Sequence, residues 1–314
     1  MRPSALFVGD VGWDITLRVD HLPAPDEKVH VIEAIESAGG VAANAAVAAQ
    51  FAGVTTRALL CFGNDAAGTR ARQQLALRGV DVAAETIAGP TCLAVIVLEP
   101  EGEKRLLLAP GVSMYPAREA VDNIDLRGVG WVHTAVYDIA AASRLVAHCR
   151  QAAVPWSVDL EPATFSEGIE SLADHLQGAE VVFCNAHAAE RLGPRAAERL
   201  LNMGARAVIL SRGADGASWH ELGRSVTLAR ASVHTPDPVL DTTGAGDCLA
   251  GWFIAERLRG IEPAVALGAA VTAATLSCYR VGAQPSYPDR ETVAAAVART
   301  LSRTLPRDKE GEFA

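Results

Sequence analysis

Apolar and polar positions along this chain fall into two alternating patterns. Short, nearly unbroken apolar runs occupy residues 5–9, 58–63, 131–136, 156–160, 181–185 and 207–211, most of them closed by Gly, Asn, Asp or Ser. Between them, at 42–51, 68–78, 140–152, 169–177 and 195–203, apolar residues recur at the three- and four-residue spacing of a helix. Runs of the first kind are too short for buried helices and read as strands buried on both faces. Strands alternating with helices predict an α/β fold, a doubly wound and mainly parallel sheet flanked by helices. In such sheets ligands bind beyond the carboxyl ends of the strands. Candidate chemistry is therefore sought where the apolar runs stop.

Two stretches break the alternation. Residues 14–37 carry Pro23 and Pro25 in their middle, and residues 91–111 place apolar runs at 93–98 and 105–108 around a turn at 100–103. Neither leaves room for a helix, so both read as strands of a small antiparallel β sheet. The expected division is a core of residues 1–13, 38–90 and 112–306, a β lid of 14–37 and 91–111, and a polar, frayed tail at 307–314. The lid reading stands beside a plainer one, a structural hairpin with no motion. From residue 245 the pattern is helical through 259, again over 263–279, and again over 289–301.

Composition narrows the function classes. With 314 residues, half of them hydrophobic and about a fifth charged, the chain can bury a large core. A net charge of −9 with no Lys/Arg run disfavours nucleic acid as a partner. No segment approaches about 20 uninterrupted apolar residues, so no membrane span is expected. The start is too short in apolar residues for a signal peptide. The six cysteines, with no C-x-x-C pair, read as buried reduced thiols of a cytoplasmic protein.

The densest candidate chemistry is Asp241-Thr242-Thr243-Gly244-Ala245-Gly246-Asp247, directly before the helical run 248–259. A strand-like approach at 225–233 and a Pro-containing turn precede it. Gly244, Ala245 and Gly246 allow backbone N–H groups to converge at a helix N-terminus, an anion hole for a phosphoryl group in transfer. Asp247, in the first helical turn, is either a stabilising charge there or the acceptor of a hydroxyl proton. The loop is not a Walker-A loop, since G-x-x-x-x-G-K-[ST] is absent. Gly39-Gly40 precedes an Ala-rich helix, where backbone approaches a ligand or another strand. Asn44 lies one turn in, as a polyol contact or as an ordinary helix-surface residue.

Together these segments resemble the phosphofructokinase-B family of carbohydrate kinases, which has the ribokinase-like fold. The stretch 241–247 with Gly251 is similar to the family's C-terminal signature, whose last acidic residue is the catalytic base. Gly39-Gly40-Val41-Ala42-Ala43-Asn44 resembles the N-terminal signature that contacts the sugar, and Asp14 matches the sugar-hydroxyl Asp. Gly63-Asn64-Asp65 with Gly68 resembles the next turn of the family. Ser211-Arg212-Gly213-Ala214-Asp215-Gly216 resembles its ATP-binding turn. The match is collinear from about residue 5 to residue 300.

The resemblance implies an ATP- and Mg²⁺-dependent kinase of a small sugar, with Asp247 as base and Asp14, Gly39, Gly40 and Asn44 on the substrate. Asn185, Ser211, Gly213 and Gly216 would face the nucleotide. Residues 280–286 resemble a ribokinase loop around a monovalent cation, K⁺. The resemblance would set the side chains of Asp241 and Ser286 on that ion, with backbone oxygens of Thr243, Ser277, Arg280 and Gly282. A helix-ending turn stopped by Gly282 and Pro285 is the alternative. The lid is a candidate surface for a homodimer.

Two departures stand out. The family's N-x-x-E, whose Glu organises Mg²⁺, is here Asn185 with Ala188 at the Glu position, leaving Glu190 as the nearby acidic candidate. Val41 replaces a Lys usual in ribokinases. A nucleoside kinase and a catalytically slow sugar- or nucleotide-binding protein remain as alternative readings.

Overall fold

The computed structural model describes residues 3–100, 104–224, 226–231 and 238–304. The chain opens with β1 (Ser4–Gly9), β2 (Gly12–Arg18) and β3 (Glu33–Gly39), then α1 (Val41–Phe51), β4 (Thr56–Gly63) and α2 (Ala66–Leu77). Next come β5 (Asp81–Ile87), β6 (Cys92–Leu98), β7 (Lys104–Ala109), the short α3 (Arg118–Asp122), β8 (Val129–Ala135), α4 (Ile139–Ala152) and β9 (Trp156–Leu160). The second half runs α5 (Ala173–Leu176), β10 (Val181–Cys184), α6 (Ala186–Leu192), α7 (Ala196–Asn202), β11 (Ala207–Ser211), β12 (Ala217–Glu221) and β13 (Thr227–Ala229). Three helices close it: α8 (Ala245–Leu258), α9 (Pro263–Ser277) and α10 (Arg290–Thr304).

Nine strands form one sheet in the order β13-β12-β11-β10-β9-β8-β1-β4-β5. Every pairing from β11 to β5 is parallel, and only the β11–β12 and β12–β13 ladders are antiparallel. Its inner strands are buried on both faces, which is why they read as unbroken apolar runs. Helices α1, α8 and α9 cover one face in a core built around Phe7, Trp252 and Phe253. Helices α4, α6 and α7 cover the other around Leu145, Leu160 and Leu200. This is the expected doubly wound architecture.

The expected small sheet is also present, in the order β3-β2-β6-β7. Its outer pairings are antiparallel, while the central β2–β6 pairing is parallel. That parallel pair follows from the topology, because β2 leaves the carboxyl end of β1 and β6 that of β5, two strands running in the same direction. β6 alternates buried and half-buried positions, as one covered face demands, whereas edge strand β7 is exposed throughout, including Leu106, Leu107 and Leu108.

Differences from the periodicity reading have local causes. The helix expected over 169–177 is a 3-10 turn (Ile169–Leu172) running into the one-turn α5. Three elements carry no legible signal: β5 is a half-exposed edge strand, β12 is five residues of mixed polarity, and α6 is too short to show a period. Among the described residues of the approach expected at 225–233, a strand forms at Thr227–Ala229. Residues 101–103, 225, 232–237 and the tail 307–314 lie outside the described residues.

Candidate active site

β1 and β5 run from their carboxyl ends into strands of the small sheet, and the first turns of α1 and α8 meet through Asn44 and Asp247. Asp10, one residue past β1, accepts from the amides of Val41 and Ala42 at 2.9 and 3.0 Å. It thereby caps α1 and satisfies two of the amides a helix start leaves unpaired. Burial first, with Glu161 adding to it, pushes its carboxyl up to about 6 against the pull of those amides. Nothing in the local pattern marked Asp10, although its place just past a strand end is the available clue.

Asp14 projects from β2 and is 7% exposed. Its carboxylate lies against the bare α-carbon of Gly39, where an added Cβ would sit 2.1 Å from Oδ2. Gly39 is required by that contact. Gly40 adopts φ +99° and packs on the backbone of Asp10 and Val11, a position closed to side chains on both counts. Asn44, one turn into α1, is buried and not a solvent-facing helix residue. Its Nδ2 donates to Oδ2 of Asp247 at 2.8 Å, joining the two Gly-containing motifs across the molecule.

Gln284 completes this chain, its Nε2 donating to Oδ1 of Asn44 at 2.9 Å. The Asn44 amide is thus oriented from both ends. Gln284 was not among the residues expected at the site.

Gly244 is the residue before α8 and takes φ +73°. An added Cβ there would lie 2.5 Å from the Tyr287 hydroxyl, which donates to the Gly244 carbonyl at 2.9 Å. In the first turn the Ala245 amide reaches the Thr242 carbonyl at 3.3 Å. Helix geometry leaves Gly246 and Asp247 to present N–H groups outward. Asp247 itself is half-buried. Its carboxyl is pushed well above the ordinary range, by burial first and then by Asp159, while the Asn44 hydrogen bond works against the shift.

The residues of the expected cation loop gather around Asp241, which is buried. Its Oδ1 accepts from the Thr243 amide and its Oδ2 from the Gly282 amide, both at 2.8 Å. Ser286 donates to the Ala283 carbonyl, Ser277 to the Ala274 carbonyl, and the Arg280 amide to the Ser277 carbonyl. Asp241 therefore bridges the anion turn and the 280s loop directly.

Ser211 ends β11, and the tight 3-10 turn Gly213–Asp215 leads through Gly216 at φ +83° into β12. Asn185 ends β10 and spends its Oδ1 on capping α6, accepting from the Ala188 amide at 2.8 Å. Ala188 is fully buried. Glu190 is exposed, lines a hollow with Arg195, Arg212 and His220, and is not among the carboxylates that act on Asp247.

Two other carboxylates do come there. Asp159 near the end of β9 is 8% exposed and accepts no hydrogen bond among the described residues. Burial first, then Glu161 and Asp10, raises its carboxyl well above the ordinary range. Glu161, just past β9, accepts from the Tyr137 hydroxyl at 2.8 Å. An orphaned, largely buried carboxylate beside a second one suits a hard divalent cation. Among the described residues no three such side chains converge enough to chelate an ion alone. Phosphates and water would have to complete its shell, which is the ordinary manner of Mg²⁺.

A model of the pfkB family of carbohydrate kinases matches residues 2–290. An ATP-dependent ribose-1-phosphate kinase of Halopiger xanaduensis is 32% identical over 297 residues, which cover 92% of this chain and 96% of that protein. A ribokinase of Haemophilus influenzae is 25% identical over 306 residues, covering 93% of this chain and 97% of the other. The crystal structure of a ribokinase from Thermotoga maritima superposes with a TM-score of 0.77 at 25% identity, over 95% of this chain and all of that one (100%).

Proposed function

Since the chain belongs to the pfkB family of carbohydrate kinases, we propose that it transfers the γ-phosphate of ATP to a hydroxyl of a small sugar, with Asp247 as the base that takes the hydroxyl's proton. The observation that carries this reading is the Asn44–Asp247 hydrogen bond, which holds the carboxylate at the mouth of the α8 N-terminus. The acceptor hydroxyl, positioned by Asp14, Asn44 and the Gly39-Gly40 backbone, attacks the γ-phosphorus as its proton passes to Asp247. The bond from that phosphorus to the bridging oxygen breaks, and ADP leaves with the electron pair. The Gly246 and Asp247 amides face the charge that spreads over the transferring oxygens. The raised proton affinity of Asp247 makes its ionised form a stronger base than a solvated carboxylate.

Mg²⁺, held by the strand-end carboxylates and the nucleotide's own phosphates, would supply neutralising charge at the β- and γ-phosphates. The turn from Ser211 to Gly216 is the proposed seat of the nucleotide, and the small sheet the proposed lid that excludes water. The charges acting most strongly on Asp14, after its burial, are Asp10 and Asp241. That acidic setting favours an uncharged sugar over a sugar phosphate. We also propose a monovalent cation beside Asp241 and a homodimer built through the lid. All six cysteines are free, which supports a reducing compartment.

A coupled assay of ADP release over neutral pentoses and hexoses, ribose 1-phosphate and nucleosides tests the substrate class. On the best acceptor, Asp247→Asn lowers kcat by about 10²–10⁴-fold while the fold and sugar binding persist. A variant retaining more than about a tenth of the rate removes Asp247 from the base role.

A further inference from the structure

The family's usual metal-organising Glu is absent at position 188, and the structure closes off the obvious substitute. Ala188 is buried in the core on the α4–α6–α7 face, and Glu190 is exposed and not among the charges acting on Asp247. Helix α6 therefore delivers no carboxylate to the phosphates. The neighbouring strand does. In the parallel β9–β10 ladder Asp159 pairs with Phe183 and Leu160 with Cys184, so Glu161 emerges level with Asn185, one step beyond the last paired residues. Side chains alternate along a strand, which sets Asp159 and Glu161 on one face. Val158 and Leu160, between and before them, pack in the opposite core.

The face that Asp159 and Glu161 share is the one α8 covers, and both act electrostatically on Asp247. Glu161 is held in place by Tyr137, which hangs from the end of β8 on the other side. Asp159 is more than nine-tenths buried, and its carboxylate accepts no hydrogen bond among the described residues.

We propose that Glu161 and Asp159 position the Mg²⁺ of the bound nucleotide, the task that position 188 cannot perform in this chain. The proposal rests on the ATP-dependent reading above and not on the identity of the sugar. Glu161, nearer the strand mouth, meets the ion or its water shell, and Asp159 below it supplies the negative field that draws the ion in. The two carboxylates would otherwise repel the triphosphate, so one ion offsets both them and the nucleotide.

The test leaves the acceptor out. Mn²⁺ is titrated into the protein with the non-hydrolysable β,γ-imido analogue of ATP, and free Mn²⁺ is read by electron paramagnetic resonance. Glu161→Gln and Asp159→Asn should each weaken Mn²⁺ binding by about tenfold or more, Glu161→Asp by less, and Glu190→Gln not at all. In EDTA, both neutral variants should bind the analogue at least as well as the wild type, because a like charge has gone. Mn²⁺ affinity within about twofold of wild type in both neutral variants overturns the proposal, as does a matching loss of analogue binding in EDTA, which marks structural damage. A wild type that binds no analogue with or without metal overturns it together with the ATP-dependent reading. Failure of every sugar in the kinase assay, with Mn²⁺ behaving as stated, strikes the sugar reading alone.

Discussion

Asp14, proposed above as a substrate contact, shows what burying a single carboxylate costs in stability. Burial, with Asp10 and Asp241 adding to it, pushes its carboxyl up to about 7 from an ordinary 3.8. A group whose folded value is raised favours folding most below its unfolded value and loses that contribution as pH rises toward the folded one. Ionised Asp14 therefore destabilises the protein increasingly between about pH 4 and 7, by an amount on the order of a few kcal/mol. Asp14→Asn should raise the melting temperature at pH 8 clearly more than at pH 5, while raising the KM for the acceptor. Equal shifts at the two pH values would show that Asp14 is not the strained charge. Asp14, Asn44 and Asp247 were legible as residue types in known signatures. Gln284 and Asp10 were not, because an orienting amide and a helix cap differ from ordinary surface residues only by what they touch.

At the scale of elements, the site is a junction of two helix starts and one loop. The 280s loop presses Tyr287 on the Gly244 carbonyl and delivers the Gly282 amide to Asp241, so it governs how the α8 amides are aimed. Each Asp241 oxygen accepts one amide and keeps a second lone pair for an ion. Replacing Na⁺ by K⁺ at constant ionic strength should raise kcat, and the gain should vanish in the double variant Asp241→Ala, Ser286→Ala. Equal rates in the two salts would remove the ion and leave Asp241 as a purely protein bridge. The elements themselves were readable where they are long or fully buried, as with α1, α8, β1 and β4. Short α6 and exposed β5 were not, since seven residues span too few turns for a period and an edge strand needs no apolar run.

At the scale of the molecule, the small sheet ends in a strand that stays open. Among the described residues β7 pairs through β6 alone, and Leu106, Leu107 and Leu108 are 58%, 66% and 51% exposed. An exposed apolar edge strand invites pairing with another chain, and a second copy through the lid is the partner proposed. Leu107→Lys should convert a dimer to a monomer in light scattering and leave the melting temperature within a few degrees. A wild type that is monomeric at micromolar concentration ends that proposal.

What the sequence determined by itself is the local and the periodic: a parallel sheet between helices, a strand-only insertion, and a Gly-rich turn before a helix with an acid in its first turn. These depend on neighbours within a few residues, and backbone sterics and burial periodicity are legible at that range. The tertiary structure alone decided which carboxylates meet. Asn44 reaches Asp247 across 203 positions, and Gln284 reaches Asn44 across 240. The proposed replacement of α6 by β9 as the source of acid rests on strand order, with β9 lying next to β10 in the sheet. No spacing in the chain encodes that adjacency, because it comes from how the whole set of apolar faces packs at once.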